Sequence, residues 1–226
     1  MRGVRVALYY APTADDPLWA RGAGWLGRDP ETGAAPPQPA IPGIAALTEE
    51  ARLYGFHATL KPPVTVRHDI TWDEVVQATR AIAAGIPAFD LPPLEVANLH
   101  GFLALRETVP CPALQALADA AVAGAHHLRA PPNAAELGKR RRAALSPAQE
   151  ANLLRWGYPY VFATWAFHMT LSRRLSPEEQ ATLCPAAEAW FAPALRERRR
   201  VTEICLFVQR GSKAPFLLAQ RIPLAT

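Results

Sequence analysis

Two short stretches bring together the residue types needed to move protons: Phe56-His57-Ala58-Thr59-Leu60 and Phe167-His168-Met169-Thr170-Leu171. Each sets an imidazole and a hydroxyl two residues apart inside an apolar frame. Along a strand, residues i and i+2 point the same way. His57 therefore shares a face with Thr59, and His168 with Thr170, while the apolar residues of each frame take the other face. One neutral imidazole can accept a proton from water or a hydroxyl, and a second, protonated one can supply a proton to a leaving oxygen. Near neutral pH two histidines divide these roles with modest tuning. The threonine hydroxyls can donate to phosphate oxygens as charge grows on them. The set suits a phosphodiester and calls for no metal. A lone histidine in an apolar strand reads as a structural residue; the recurrence of the whole frame argues for a working pair.

Further candidates surround the two frames. Lys61 follows the first, and Arg173 and Arg174 follow the second. Cations at strand exits can hold a second phosphate, arginine through its fork; the competing reading is a solvated charge, favoured more for Arg174 than for Lys61 or Arg173. Tyr9 is expected to line the cleft or to pack, with packing preferred. Tyr160, with Tyr54 and Tyr158, offers a surface on which a base or sugar can stack. Gln209, at the end of a strand, is the weakest candidate. Lys139-Arg140-Arg141-Arg142 and Arg198-Arg199-Arg200 read as solvated faces, unless the first lies on a lid that gathers an anion. His68, His100, His126 and His127 show no metal-ligand spacing, so neither a metal nor another cofactor is expected.

Ordinary elements must position these groups. Val4 to Tyr10 is β-branched, aromatic and apolar, and Pro12 ends it: a strand. The Gly- and Pro-rich stretch from Asp15 to Pro42 reads as an irregular excursion packed down by Trp19, Trp25 and Leu26. Tyr54–Leu60 reads as a strand, Thr71-Trp72-Asp73-Glu74 as a capping box opening a helix to about Ala84, and Leu94–Leu99 with Phe102–Leu105 as a strand pair turning at His100-Gly101. The pattern then repeats. Ala166–Leu171 is a strand, Ser176-Pro177-Glu178-Glu179 caps a helix to about Phe191, and Val201–Val208 and Phe216–Ile222 form a second strand pair. Two α+β lobes follow from this internal duplication. The expected layout is a single bilobal domain over residues 1–226. Its first-motif lobe lies at about 45–110, its second at about 158–226, and a helical connection at about 111–157. That connection holds a helix from about Ala113 to His127 and another opened by Ser146.

Bulk composition narrows the partners. Half of the 226 residues are hydrophobic and 19% are charged, the balance of a folded globular chain. A net charge of +4 favours an anionic ligand but falls short of a nucleic-acid footprint. Cys111, Cys184 and Cys205 lack metal or disulfide spacing and read as reduced thiols. No apolar run approaches a membrane span, and Met1 to Val6 has no signal-peptide core. A soluble, cytoplasmic protein without membrane partners is expected.

The two His-x-Thr frames resemble the paired motifs of the 2H phosphoesterase superfamily, which includes RNA 2′,3′-cyclic phosphodiesterases and the so-called 2′-5′ RNA ligases. Ala7-Leu8-Tyr9-Tyr10-Ala11-Pro12, Trp25-Leu26-Gly27-Arg28-Asp29 and Tyr54 to Pro63 resemble one branch of it, phosphonate-metabolism proteins encoded beside carbon–phosphorus lyase genes. The resemblance implies a duplicated bilobal α+β fold, with two antiparallel sheets and flanking helices around a central cleft. It implies His57 and His168 as catalysts and Thr59 and Thr170 as phosphate ligands. It also implies a small cyclic phosphodiester substrate, with a phosphoribosyl cyclic phosphate as the candidate. The alternatives are an RNA-end 2′,3′-cyclic phosphodiesterase or 2′-5′ ligase-like enzyme, and a non-catalytic protein that captures a nucleotide or phosphosugar.

Overall fold

Alternating apolar residues extend the chain and capped apolar stripes coil it. The computed structural model describes residues 3–132, 134–142 and 144–226. The opening Met1-Arg2 and the side chain of Lys139 in the basic run lie outside the described residues. In chain order the elements are β1 (Arg5–Tyr10), α1 (Pro17–Leu26), α2 (Ile44–Leu47), α3 (Glu49–Tyr54), β2 (Ala58–Thr65), α4 (Trp72–Ala84), β3 (Phe89–Leu91), β4 (Leu94–Leu99), β5 (Phe102–Glu107), α5 (Pro112–Gly124), α6 (Ala134–Arg140), α7 (Pro147–Trp156), β6 (Met169–Arg174), α8 (Pro177–Leu195), β7 (Arg199–Val201), β8 (Glu203–Gln209) and β9 (Leu217–Pro223). Short 3-10 turns occupy His126–Leu128 and Phe162–Thr164.

The repeated order is present, with one short extra strand in each copy: β2-α4-β3-β4-β5 and β6-α8-β7-β8-β9. Both helices begin as their sequences predict. The Thr71 hydroxyl accepts from Glu74 N (3.2 Å) while the Glu74 carboxylate accepts from Thr71 N (2.7 Å). Ser176 and Glu179 close the same reciprocal box, with Pro177 in the first turn. The β4–β5 turn places His100 at φ 53° and Gly101 at φ 98°, the left-handed pair of a tight hairpin.

Two expectations need correction. The excursion from Asp15 to Pro42 holds a real helix, α1, which Asp16 caps by accepting from Leu18 N (2.8 Å) and Gly27 ends at φ 68°. Its glycines argued against a helix, but Gly22 lies so close to Phe56 that an added Cβ would sit 2.1 Å from the ring. The second correction is local. Tyr54 to His57 is not strand: α3 ends at Tyr54, Gly55 turns the chain at φ 82°, and β2 begins after the histidine. Likewise β6 begins just after His168.

Among the described residues, nine strands form two antiparallel sheets, a seven-stranded one ordered β4-β5-β6-β2-β1-β8-β9 and a ribbon of β3 with β7. The large sheet has a narrow waist, because β2 and β6 pair only at Ala58 and Met169. These two residues hold the same place in the two frames, so the repeats meet at this bridge. The hairpins are exchanged about it. β4–β5 follows the first frame yet pairs with β6, and α8 packs on β4; β8–β9 follows the second frame yet lies beside β1 and β2, and α4 packs beneath it. Strands of the two repeats therefore alternate in the large sheet. In the connecting segment, α5 packs under β2 and against α4.

One face of β1 sends Val6, Leu8 and Tyr10 into the main apolar core. Its other face sends Ala7, Tyr9 and Ala11 into a smaller one with Trp19, Phe207 and Phe216. Among the described residues, no helix is long and apolar enough to cross a membrane.

Candidate active site

The waist of the sheet is where the two frames meet. Phe56, Ala58, Leu60, Phe167, Met169 and Leu171 are all at most 2% exposed, whereas His57, Thr59, His168 and Thr170 are only half-buried. The alternation expected of the frames therefore holds. With β2 and β6 paired only at Ala58 and Met169, the backbone carbonyls beside the bridge need other donors. Two tryptophans supply them: Trp165 Nε1 donates to Thr59 O and Trp25 Nε1 donates to Leu171 O, each at 2.8 Å.

The imidazoles are held alike. His57 Nδ1 lies 2.9 Å from Gly55 O, and His168 Nδ1 lies 3.0 Å from Ala166 O, each carbonyl two residues upstream. A carbonyl only accepts, so Nδ1 carries the hydrogen and Nε2 is left as the working nitrogen of each neutral ring. His57 Nε2 sits 3.2 Å from the Thr59 hydroxyl. Tyr9 stacks on the His57 ring at 3.7 Å between centroids and 21° between planes, and Phe102 meets His168 edge-on at 5.9 Å. Burial pushes the His57 imidazole down to about 4; the Gly55 carbonyl opposes this, and the nearby His168 adds to it. Burial also lowers His168, against the pull of the Ala166 carbonyl. Both rings are thus poised neutral in the free protein, and each would gain basicity from a bound anion.

A cavity of about 540 Å³ opens beside His168, and neither His57 nor Thr170 is among the residues that line it. Thr59 and His168 line it together with Phe102, Tyr160, Trp165 and Arg174. Tyr160 is 40% exposed and meets Tyr158 edge-on, so it sits at the rim. Arg174 is anchored by a 2.6 Å hydrogen bond to His100 O. Alternation along β6 breaks after Thr170, where Ser172 is buried and the β5–β6 register shifts, and Arg174 reaches the cavity opposite Phe102.

Other sequence candidates lie elsewhere. Arg173 is fixed by two hydrogen bonds to the Glu179 carboxylate (2.8 and 3.0 Å) at the start of α8, so it serves the helix cap. Lys61 is 3% exposed and its Nζ donates to Val122 O at 3.1 Å, near the C-terminal end of α5, where a cation suits the helix dipole. A bulge in the β1–β2 pairing sets Thr59 opposite Tyr9 but Lys61 opposite Leu8, turning the lysine onto the helix-covered face. Burial lowers Lys61 to about 8. Tyr9 is fully buried and supports His57 from behind. Gln209 accepts from Arg5 (2.8 Å) and donates to Ala214 O (2.7 Å), so it positions Arg5 rather than a ligand. Among the described residues, no group of three His, Cys, Asp or Glu side chains is placed to hold a metal ion.

A family model described as "Protein of unknown function (DUF1045)" matches residues 59–217, which include the second frame and end in β9. The chain belongs to the DUF1045 family. Two relatives, each named ribose 1,5-bisphosphate phosphokinase PhnN, share its sequence. The protein from Janthinobacterium sp. (strain Marseille) is 39% identical over 228 residues, and that from Laribacter hongkongensis (strain HLHK9) is 34% identical over 222. Each alignment takes in 97% of this DUF1045 chain but only 50% and 52% of those proteins, so the chain spans about half their length. Among solved structures, E. coli LigT in its apo form aligns over 98% of both chains with a TM-score of 0.45 and 14% identity.

Proposed function

We propose that this DUF1045 chain is a metal-independent phosphodiesterase that opens a small cyclic phosphate with His57 and His168, with Thr59 and Thr170 steadying the phosphate. The reading rests on one observation: two imidazoles, tied through Nδ1 to equivalent carbonyls, stand on either side of the bridge that joins the repeats.

In the forward step Nε2 of neutral His57 takes a proton from water as its oxygen attacks phosphorus. The P–O bond to one ring oxygen breaks, and that oxygen takes the proton from Nε2 of His168, protonated in the anionic complex. The products are a phosphomonoester and a free hydroxyl. The pair is left with His57 protonated and His168 neutral, and exchange with solvent resets it. His57 is the base in this scheme because burial holds it neutral, while its Nδ1 is tied to Gly55 O and leaves Nε2 to accept a proton.

A phosphoribosyl cyclic phosphate is the preferred substrate. The relatives' printed name places a doubly phosphorylated ribose in their chemistry. This chain carries no Gly-x-x-x-x-Gly-Lys-Ser/Thr phosphate loop, so the kinase activity in that name is assigned to the half it does not match. An RNA-end substrate is the second reading, favoured by the aromatic lining of Phe102, Tyr158, Tyr160 and Trp165.

The test is phosphorus NMR in EDTA, with 5-phosphoribosyl 1,2-cyclic phosphate and a nucleoside 2′,3′-cyclic phosphate offered separately. The wild type should open the first ring, and His57→Ala and His168→Ala should each lose roughly 10²- to 10⁴-fold in rate. Turnover that returns only on adding metal would overturn the mechanism. Binding without turnover would leave a capture protein.

A further inference from the structure

Lys61 and Arg173 are committed elsewhere, and Arg174 is the sequence-predicted cation that lines the histidine cavity. A second cavity, of about 470 Å³, is lined by Arg5, Arg129 and Arg140, together with Tyr54 and Glu136. Three guanidinium groups against one carboxylate leave two positive charges, the complement of a phosphomonoester dianion.

Two of the arginines stand on rigid backbone. Arg5 is on β1, held by Gln209 at 2.8 Å and lying 5.5 Å from the centre of the Phe216 ring. Arg129 bridges to Val66 just beyond β2, and the next residue, Ala130, donates to Thr65 O at 2.8 Å. Among the described residues, Arg129 Nε and Nη1 are buried without a hydrogen-bond partner, a costly state that an oxyanion relieves. Gly157, at φ 81°, leaves room for this guanidinium: an added Cβ would lie 2.7 Å from Arg129 Nη1. Arg140, from the end of α6, lies 4.6 Å from the centre of the Tyr158 ring, which lines the histidine cavity.

The two cavities are neighbours. Tyr54 lines the arginine cavity and its ring centre lies 6.4 Å from that of His57. The Arg5 charge is felt at Tyr9, the ring stacked on His57.

We propose that Arg5, Arg129 and Arg140 form a subsite for a second, terminal phosphate of the substrate, so that the enzyme selects cyclic phosphodiesters that also carry a phosphomonoester. This rests on the phosphodiesterase reading, and two separate measurements keep the two apart. The first is calorimetric binding of ribose 5-phosphate, which needs no turnover. The wild type should bind it, and Arg129→Ala, Arg140→Ala and Arg5→Gln should each weaken binding roughly tenfold or more. Absence of binding, or equal binding by all folded variants, overturns the subsite whatever the enzyme's activity.

The second measurement compares a nucleoside 2′,3′-cyclic phosphate with and without a 5′-phosphate. The wild type should favour the phosphorylated form in kcat/KM, and the arginine variants should lose more on that form than on the other. Equal losses on both substrates overturn the subsite. Binding with no ring opening of any substrate overturns the phosphodiesterase reading and leaves the subsite standing.

Discussion

An imidazole with one nitrogen tied to a carbonyl has a single nitrogen left for chemistry, and its charge state then decides what that nitrogen does. His57 is held down to about 4 by burial, against an ordinary value of about 6.5. The unfolded chain therefore binds a proton at His57 that the folded chain refuses. Stability is unaffected above about pH 7, falls as pH drops through 6.5, and levels off below about 4, where the folded ring protonates as well. The full shift is worth on the order of 3 kcal/mol, less what water reaching the half-buried ring recovers. Denaturant unfolding at pH 7.5 and pH 5 should show the wild type losing more stability than His57→Asn; parallel losses would mean a solvated ring. At this scale the sequence was informative where strands run regularly. Alternation placed both histidines and both threonines, but it breaks along β6 before Arg174. It failed for Lys61, because the β1–β2 bulge turns one residue over, and a bulge leaves no mark in this sequence. Arg5 and Arg129 were invisible for another reason: they reach one cavity from segments far apart in the chain.

Helices announced by a cap were legible, and α1 shows what hides one. Asp16, Pro17 and Gly27 spell its two ends, but Gly22 and Gly24 within it lower helix propensity. Gly22 is there because Phe56 presses on its backbone, and Phe56 is the residue before His57. Gly22→Ala should therefore gain helix propensity yet destabilise the protein by about 1–3 kcal/mol through overpacking. It should also lower kcat by displacing His57, which thermal melts and steady-state assays would separate. A rise in Tm with unchanged kcat would mean that Phe56 has room to move aside. The strand pairs were legible too, but not their partners. Turn residues mark where a hairpin bends, while the choice of neighbour depends on which apolar faces meet.

Across the whole molecule, polar contacts tie distant segments together, as Arg221 with Glu31 and Arg199 with Asp16 show. Arg199 is 8% exposed and donates to the Glu197 and Ala194 carbonyls, but its charge is met by Asp16, whose carboxylate receives its Nε and Nη2 at 2.8 and 2.9 Å. Asp16→Asn leaves that guanidinium buried beside a neutral amide. It should cost about 3 kcal/mol in urea unfolding, with kcat unchanged in the folded fraction; no loss of stability would show that water reaches the charge. The exchanged hairpins have a consequence in time. As the chain leaves the ribosome, β1 and β2 can pair early, but β8, the other neighbour of β1, is made more than a hundred residues later. The β4–β5 hairpin likewise waits for β6. Neither lobe can close during most of synthesis, so a nascent chain stopped before β6 carries two unpaired sheet edges and no assembled histidine pair. Such a product would be a target for chaperones and proteases, and closing the sheet on β1 waits for β8.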